Sequence, residues 1–258
     1  MTPIHKMNAA RGWIWVKQGY QLIMRNPLLS ISIALLGSLG MLLILKVAPI
    51  GSFIAMLLMP IVITGYMRVC RALEEDEAIQ FSHLLAGFKK HPARLVSLGG
   101  LLILGVVISA LTMLLIGGTA LGTLLTTLKS IPNQQMLANA MQAAGPGVSF
   151  SLLAGFSLMF VLMLAFQYAP MLVYFNDLPP LAAMRASLVG TLRNFIPYTV
   201  YSIIMQVLAL LLGMLPYSIG LIALLPLGFT SLYVSYRNIF PFKDEIHLIK
   251  PATPNPTA

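Results

Sequence analysis

Acidic residues are scarce in this chain: Asp and Glu together number 7 among 258 residues, and charged residues of all kinds make up only 9%. Soluble globular domains carry about a quarter of their residues as charges, so that class is excluded. Cysteine occurs once, at Cys70, which rules out an intramolecular disulfide and a multi-cysteine metal site. A lone cysteine of this kind packs as a small apolar residue. Ionisable residues are missing from the middle of every long apolar stretch, and all four histidines (His5, His83, His91, His247) lie outside them. That absence disfavours a proton-coupled carboxylate relay. A nucleophile with its base, a metal-ligand spacing and a phosphate-cradling glycine loop are also missing, so the expectation is a protein without catalytic residues, metal or cofactor.

What is present is apolar length. The chain is 58% hydrophobic, with runs that equal or multiply the roughly 20 residues a helix needs to cross a bilayer. These runs are apolar on both parities, which fits helices and not a barrel. The sequence predicts an all-α, polytopic membrane protein with six transmembrane helices, near 27–45, 49–67, 94–117, 151–175, 197–215 and 218–236. An alternative extends the third helix to Leu128. The first run should stay as a span, because no small-residue cleavage site follows it.

The formal net charge is +9, but the cations flank apolar runs instead of forming a domain that could track a phosphate backbone. Nucleic acid is therefore not an expected partner. On the six-span map only Lys46 and Lys129 fall on one side, and all other Lys and Arg fall on the opposite side. The positive-inside rule makes that second side cytoplasmic, together with both termini.

A short basic turn recurs three times, as Arg25-Asn26-Pro27, Lys90-His91-Pro92 and Arg193-Asn194-Phe195-Ile196-Pro197. Each turn follows a weakly amphipathic stretch and opens a pair of apolar runs. The stretches carry apolar stripes: Ala9, Trp13, Val16, Tyr20, Ile23 and Met24; then Phe81, Leu84, Leu85 and Phe88; then Leu181, Met184, Leu188 and Leu192. Each reads as a cytoplasmic interfacial helix ahead of a membrane hairpin. Met59-Pro60, Ala169-Pro170 and Leu225-Pro226 place a proline in the second span of each pair. The domain organisation is thus one transmembrane domain over 1–250, with internal repeats at 7–67, 78–175 and 181–236 and a disordered tail over 251–258. Asn and Pro also suit helix starts in general, so convergence remains an alternative origin for the turns. Within the outer connection, Met136, Leu137, Ala140, Met141 and Ala144 predict a helix lying flat on the outer surface.

The acidic run Glu74-Glu75-Asp76-Glu77 reads as a solvated segment before the second surface helix, where acids favour the helix dipole. Eight cations are candidate contacts for anionic lipid: Arg11, Lys17, Arg25, Lys89, Lys90, Arg94, Arg185 and Arg193. Gln167, Tyr168, Tyr201 and Gln206 are the candidate central polar positions, as hydrogen-bonding groups between helices or as the lining of a path.

The segment Gly12-Trp13-Ile14-Trp15-Val16-Lys17-Gln18-Gly19-Tyr20, followed by Met24-Arg25-Asn26-Pro27 and a span, resembles an uncharacterised family of small inner-membrane proteins of proteobacteria. The organisation is also similar to the six-span membrane domain attached to some glycerophosphodiester phosphodiesterases, without the catalytic domain. The resemblance implies a bacterial cytoplasmic-membrane location and brings no catalytic residues with it. The expected function is a non-enzymatic scaffold that organises lipid or partner membrane proteins. The alternative is a transporter or channel for an uncharged or amphipathic solute.

Overall fold

The computed structural model describes residues 3–47, 49–128, 134–214 and 220–242. Among these residues there is no strand. The helices are α1 (Arg11–Arg25), α2 (Pro27–Leu45), α3 (Gly51–Glu74), α4 (Ala86–Lys89), α5 (Pro92–Leu128), α6 (Gln134–Phe166), α7 (Ala169–Phe175), α8 (Pro180–Arg193), α9 (Phe195–Gly213) and α10 (Gly220–Ile239), with a 3₁₀ turn at Phe81–Leu85 before α4.

Each basic turn separates a short helix from a long one. Pro27 occupies the first turn of α2, where its missing N–H costs nothing, and Asn26 Oδ1 accepts from the Leu29 amide at 3.3 Å. Pro92 opens α5 directly after His91, and Asn194 joins α8 to α9. The expected fourth span is broken at Gln167-Tyr168, so that α7 starts anew with Pro170 in its first turn.

Among the described residues, five segments are long and apolar enough to cross a membrane: Pro27–Leu45, Gly51–Glu74, Pro92–Leu124, Gly145–Phe175 and Phe195–Gly213. α10 falls outside this set although it is 20 residues long. Its last three turns carry Thr230, Ser231, Ser235, Arg237 and Asn238, which lower its hydropathy.

The chain divides into two compact units. The first comprises residues 1–99 and 165–258, and α10 is its hub, packed against α1, α2, α3 and α9. Polar side chains make its contacts: Tyr168 Oη lies 3.0 Å from Ser235 Oγ, and Tyr201 Oη lies 3.2 Å from Ser231 Oγ. Interhelical hydrogen bonds and small residues hold helices together in lipid, where apolar burial alone drives little. Gly19 of α1 sits against the backbone of Ser231, and Gly12 against Pro197 and Tyr201, so α1 lies close on both α10 and α9. Trp15 is fully buried on that face while Trp13 is 57% exposed. The apolar stripe expected for α1 is therefore split. Val16 and Ile23 face inward with Gly12, Trp15, Gly19 and Leu22, whereas Trp13, Tyr20 and Met24 face outward. Glycine, invisible to a hydrophobicity pattern, selects the packed face by allowing close approach.

The second unit is residues 100–164, drawn from α5 and α6. Gly117 meets Leu121 and Ser151, Gly155 meets Met113, and the Ser151 hydroxyl donates to the Met113 carbonyl at 2.7 Å. α5 departs from helical geometry at Gly118 (φ 52°) and α6 at Gly145 (φ 81°), conformations that glycine adopts without strain. The break at Gly118 divides α5 into a stretch that ends at Gly117 and a further one that ends at Leu128. The outer helix expected around Met136–Ala144 is present in the backbone of α6 up to Gly145, while its apolar side chains lie outside the described residues. The Leu215-Pro216-Tyr217 hairpin turn and the 251–258 tail also lie outside them.

Candidate functional site

The acidic run is exposed to solvent, yet its acids are not left unpaired. It ends α3, at the helix terminus where the dipole disfavours negative charge, and every acid in it has a basic partner. Arg68 Nη2 lies 2.5 Å from Glu77 Oε2, Arg71 Nε 2.8 Å from Glu75 Oε1, Arg25 Nη1 2.8 Å from Asp76 Oδ1, and Arg237 Nε 3.4 Å from Glu74 Oε2. Tyr233 also donates to Glu74 Oε2 at 2.6 Å. The run is solvent-exposed, as expected, but it closes α3 and its acids are paired. The arginines come from α1, α3 and α10, and their charge offsets the unfavourable position of the acids.

The end of α3 is fully accounted for. The four last carbonyls of a helix lack intrahelical donors. Here the Arg71 carbonyl accepts from the Glu75 amide, that of Ala72 from the Glu77 amide, and those of Leu73 and Glu74 from the Arg25 guanidinium at 2.8 and 3.1 Å. Asp76 takes a left-handed φ of 54°, the conformation that closes such a terminus.

The end of α7 is held the same way. Asp177 follows α7 with φ 57°, and Lys90 Nζ and His91 Nε2 stand 3.0 and 2.8 Å from its Oδ1. Arg94 donates to the Asp177 carbonyl at 2.9 Å. At both places, then, a basic turn ahead of a long helix clasps a left-handed aspartate that follows a later helix. The third hairpin uses the N-terminal segment as an intermediary. Asn194 Nδ2 donates to the His5 carbonyl at 2.9 Å, the Met7 amide donates to Asn194 Oδ1 at 2.7 Å, and the His5 amide donates to the Ile239 carbonyl at 3.0 Å.

Behind these clasps lies an aromatic layer of Tyr168, Phe175, Tyr233, Tyr236, Phe240 and Phe242. Phe242 receives two guanidiniums, Arg71 at 4.4 Å and Arg237 at 4.7 Å from its ring centroid. Sequence reading missed these two arginines. A signal was there: each lies eleven residues after the proline of its helix, Pro60 or Pro226, and Thr64 and Thr230 lie four after the same prolines. Both threonine hydroxyls donate to that proline's carbonyl, at 2.6 and 2.9 Å.

The eight candidate cations divide into two groups. Arg25, Lys90 and Arg94 hold the hairpin ends, and Arg11 donates to Asn238 Oδ1 at 3.2 Å. Lys17, Lys89, Arg185 and Arg193 are exposed and have no hydrogen bond or ion pair among the described residues. Of the central polar positions, Tyr168 and Tyr201 converge on α10 within the packed core, Gln167 is half-buried, and Gln206 is exposed on α9. Two cavities of about 460 Å³ and one of about 540 Å³ indent the first unit, and none of the three is lined by Gln167 or Gln206. His83 and His91 do not meet either. His91 faces Asp177, whereas burial, and then the charge of Arg68, hold the His83 imidazole below the usual histidine value. A hydrogen bond from Arg68 and its charge hold the Glu77 carboxyl below the ordinary carboxylate value. Among the described residues no group of three or more His, Cys, Asp or Glu could hold a metal ion.

Apolar helices long enough to span a bilayer and charges gathered at the helix ends describe an integral membrane protein. The comparison with known proteins agrees: the chain is similar to a probable inner membrane protein of Burkholderia thailandensis. The two are 29% identical over 262 residues, covering 93% of this chain and 94% of that protein. No family model matches the chain, and no solved structure matches it significantly.

Proposed function

We propose that this protein is a six-span, multi-pass protein of the bacterial inner membrane with both termini cytoplasmic, acting without catalysis as a scaffold for anionic lipid or partner membrane proteins. The observation that carries the proposal is shared by the three segments ahead of the hairpins. Each leaves apolar side chains exposed beside a cation that has no acidic partner among the described residues: Trp13, Tyr20 and Met24 with Lys17; Phe81, Leu85 and Phe88 with Lys89; Leu181 and Leu192 with Arg185 and Arg193. On α1 the spacing Trp13, Lys17, Tyr20, Met24 puts the lysine on the aromatic face itself. An aromatic ring with a cation on a long stem suits the headgroup layer, where the stem lies along apolar surface and the charge meets phosphate. The similarity to a probable inner membrane protein supports the location. The sixth span is α10, whose polar residues are taken up by neighbouring helices and so need not meet lipid.

The lipid part is tested by purification in native lipid: enrichment of anionic phospholipid is expected, and its absence would remove this part of the proposal. The topology is tested by thiol labelling of single cysteines introduced at Lys89 and Lys46, against a quiet background because native Cys70 is buried. Labelling of the Lys89 position from the periplasm would overturn the orientation.

A further inference from the structure

Around α8, three faces are distinguishable from exposure. Ala183, Ser187, Gly190 and Thr191 are buried against the first unit. Leu181 and Leu192, 69% and 54% exposed, mark an outward apolar stripe that Met184 and Leu188 continue. Ala182, Arg185, Ala186, Val189 and Arg193 form a third face, turned roughly 90° from the leucines at 3.6 residues per turn. This third face lines a groove of about 540 Å³, whose far wall is the N-terminal Pro3-Ile4. That wall is held in place by the hydrogen bonds of His5 and Met7 to Asn194 and Ile239. The groove therefore has an apolar interior of Ile4, Ala182, Ala186 and Val189 and two guanidiniums along its length. No acid lines it.

From this geometry we infer that the groove is a binding site for one anionic phospholipid, with its phosphate against Arg185 and Arg193 and its apolar portion over Ala186 and Val189. Charge complementarity argues for the occupant: two exposed guanidiniums without a partner among the described residues call for an anion, and guanidinium meets phosphate oxygens in matched geometry. The neighbouring leucine stripe argues for the source. It sets the groove at the edge of a surface that suits acyl chains, so a phosphate delivered there comes with an apolar tail. A soluble phosphate would have no use for the alanine and valine lining. The inference rests on the proposed membrane-surface function and narrows it from a diffuse basic collar to a single site.

The test uses the full-length protein in mixed micelles of a zwitterionic detergent with titrated phosphatidylglycerol, with retained lipid read by native mass spectrometry. R185Q/R193Q should weaken retention about thirtyfold, corresponding to the roughly 2 kcal/mol that two cationic contacts near an anionic surface contribute. R185K/R193K, which keeps the charge and loses the planar fork, should fall between the unmodified protein and R185Q/R193Q, and K17Q/K89Q should change retention little. A186W, which fills the groove and leaves charge intact, should abolish retention while leaving thermal stability near that of the unmodified protein. Glycerol phosphate in excess should not displace the lipid. Equal losses in K17Q/K89Q and R185Q/R193Q would overturn the site and leave the basic collar standing, as would a neutral A186W. Displacement by glycerol phosphate would show a soluble phosphate site instead. If the unmodified protein showed no preference for phosphatidylglycerol, both the site and the collar would fall.

Discussion

Arg25 closes the helix hairpin that its own turn opens: its guanidinium lies 2.8 Å from the carboxylate of Asp76, 51 residues further along the chain. The same guanidinium takes up the carbonyls of Leu73 and Glu74, so one side chain supplies the ion pair and completes the end of α3. Removing the two partners should therefore have unequal consequences. Asp76→Asn retains a residue that tolerates the left-handed backbone and loses only an exposed ion pair, which is expected to cost under about 1 kcal/mol. Arg25→Ala also strands two carbonyls and should cost about 2 kcal/mol. A double-mutant cycle on thermal unfolding in detergent measures both, and equal losses would show that the capping role is unimportant.

At Asp177 the backbone and the carboxylate can be separated. Asp177→Gly preserves the φ of 57° and removes the partner of Lys90 and His91, whereas Asp177→Ala removes both. Alanine is expected to be less stable than glycine by about 1 kcal/mol, the cost of left-handed geometry for a residue with a Cβ. Asparagine should fall nearest the native protein. A glycine variant less stable than alanine would indicate that chain entropy outweighs strain at this position.

Gly12 and Gly19 hold α1 against α9 and α10. A methyl group at either would overlap backbone atoms, those of Pro197 and Tyr201 or those of Ser231, which have no rotamer into which to retreat. Gly19→Ala is expected to destabilise by about 1–3 kcal/mol, in the range of overpacked cores. Gly40, where an added methyl would meet nothing within 4 Å, should accept alanine with little change. Differential scanning fluorimetry of the two variants provides the comparison.

Acid should loosen the segment after α3 in two steps. His83 is held below the ordinary histidine value, so the unfolded chain takes up a proton first as pH falls through about 6.5, and stability declines from there. Glu77 is held below the ordinary carboxylate value, so its contribution is present above about 4.3 and is lost as pH falls through its folded value. Both slopes have the same sign. His83→Gln should flatten the decline between about pH 6.5 and 5 and leave the lower one in place, as read from thermal stability against pH. An unchanged upper slope would assign it to another group.

The sequence by itself determined the apolar helices, the three turns between short and long helices, and the absence of charge from the middle of the spans. Each of these is local: span length against bilayer thickness, proline and asparagine at helix starts, and the energetic cost of an ion in hydrocarbon. The tertiary structure alone decided which cations find a partner among the described residues. Arg25 and Lys17 share one helix and one charge, yet Arg25 is taken up by Asp76 and α3 carbonyls while Lys17 is left to the surroundings. It also decided which face of α1 is packed, because two glycines permit a close approach that no hydrophobic pattern registers. The partners of Asp76 and Glu74 were hidden for the same reason: Arg25 and Arg237 come from α1 and α10, whereas Arg71 and Glu75 pair within four residues. Pairing over such separations depends on how the helices pack, and a charge pattern read along the chain carries no distance between them.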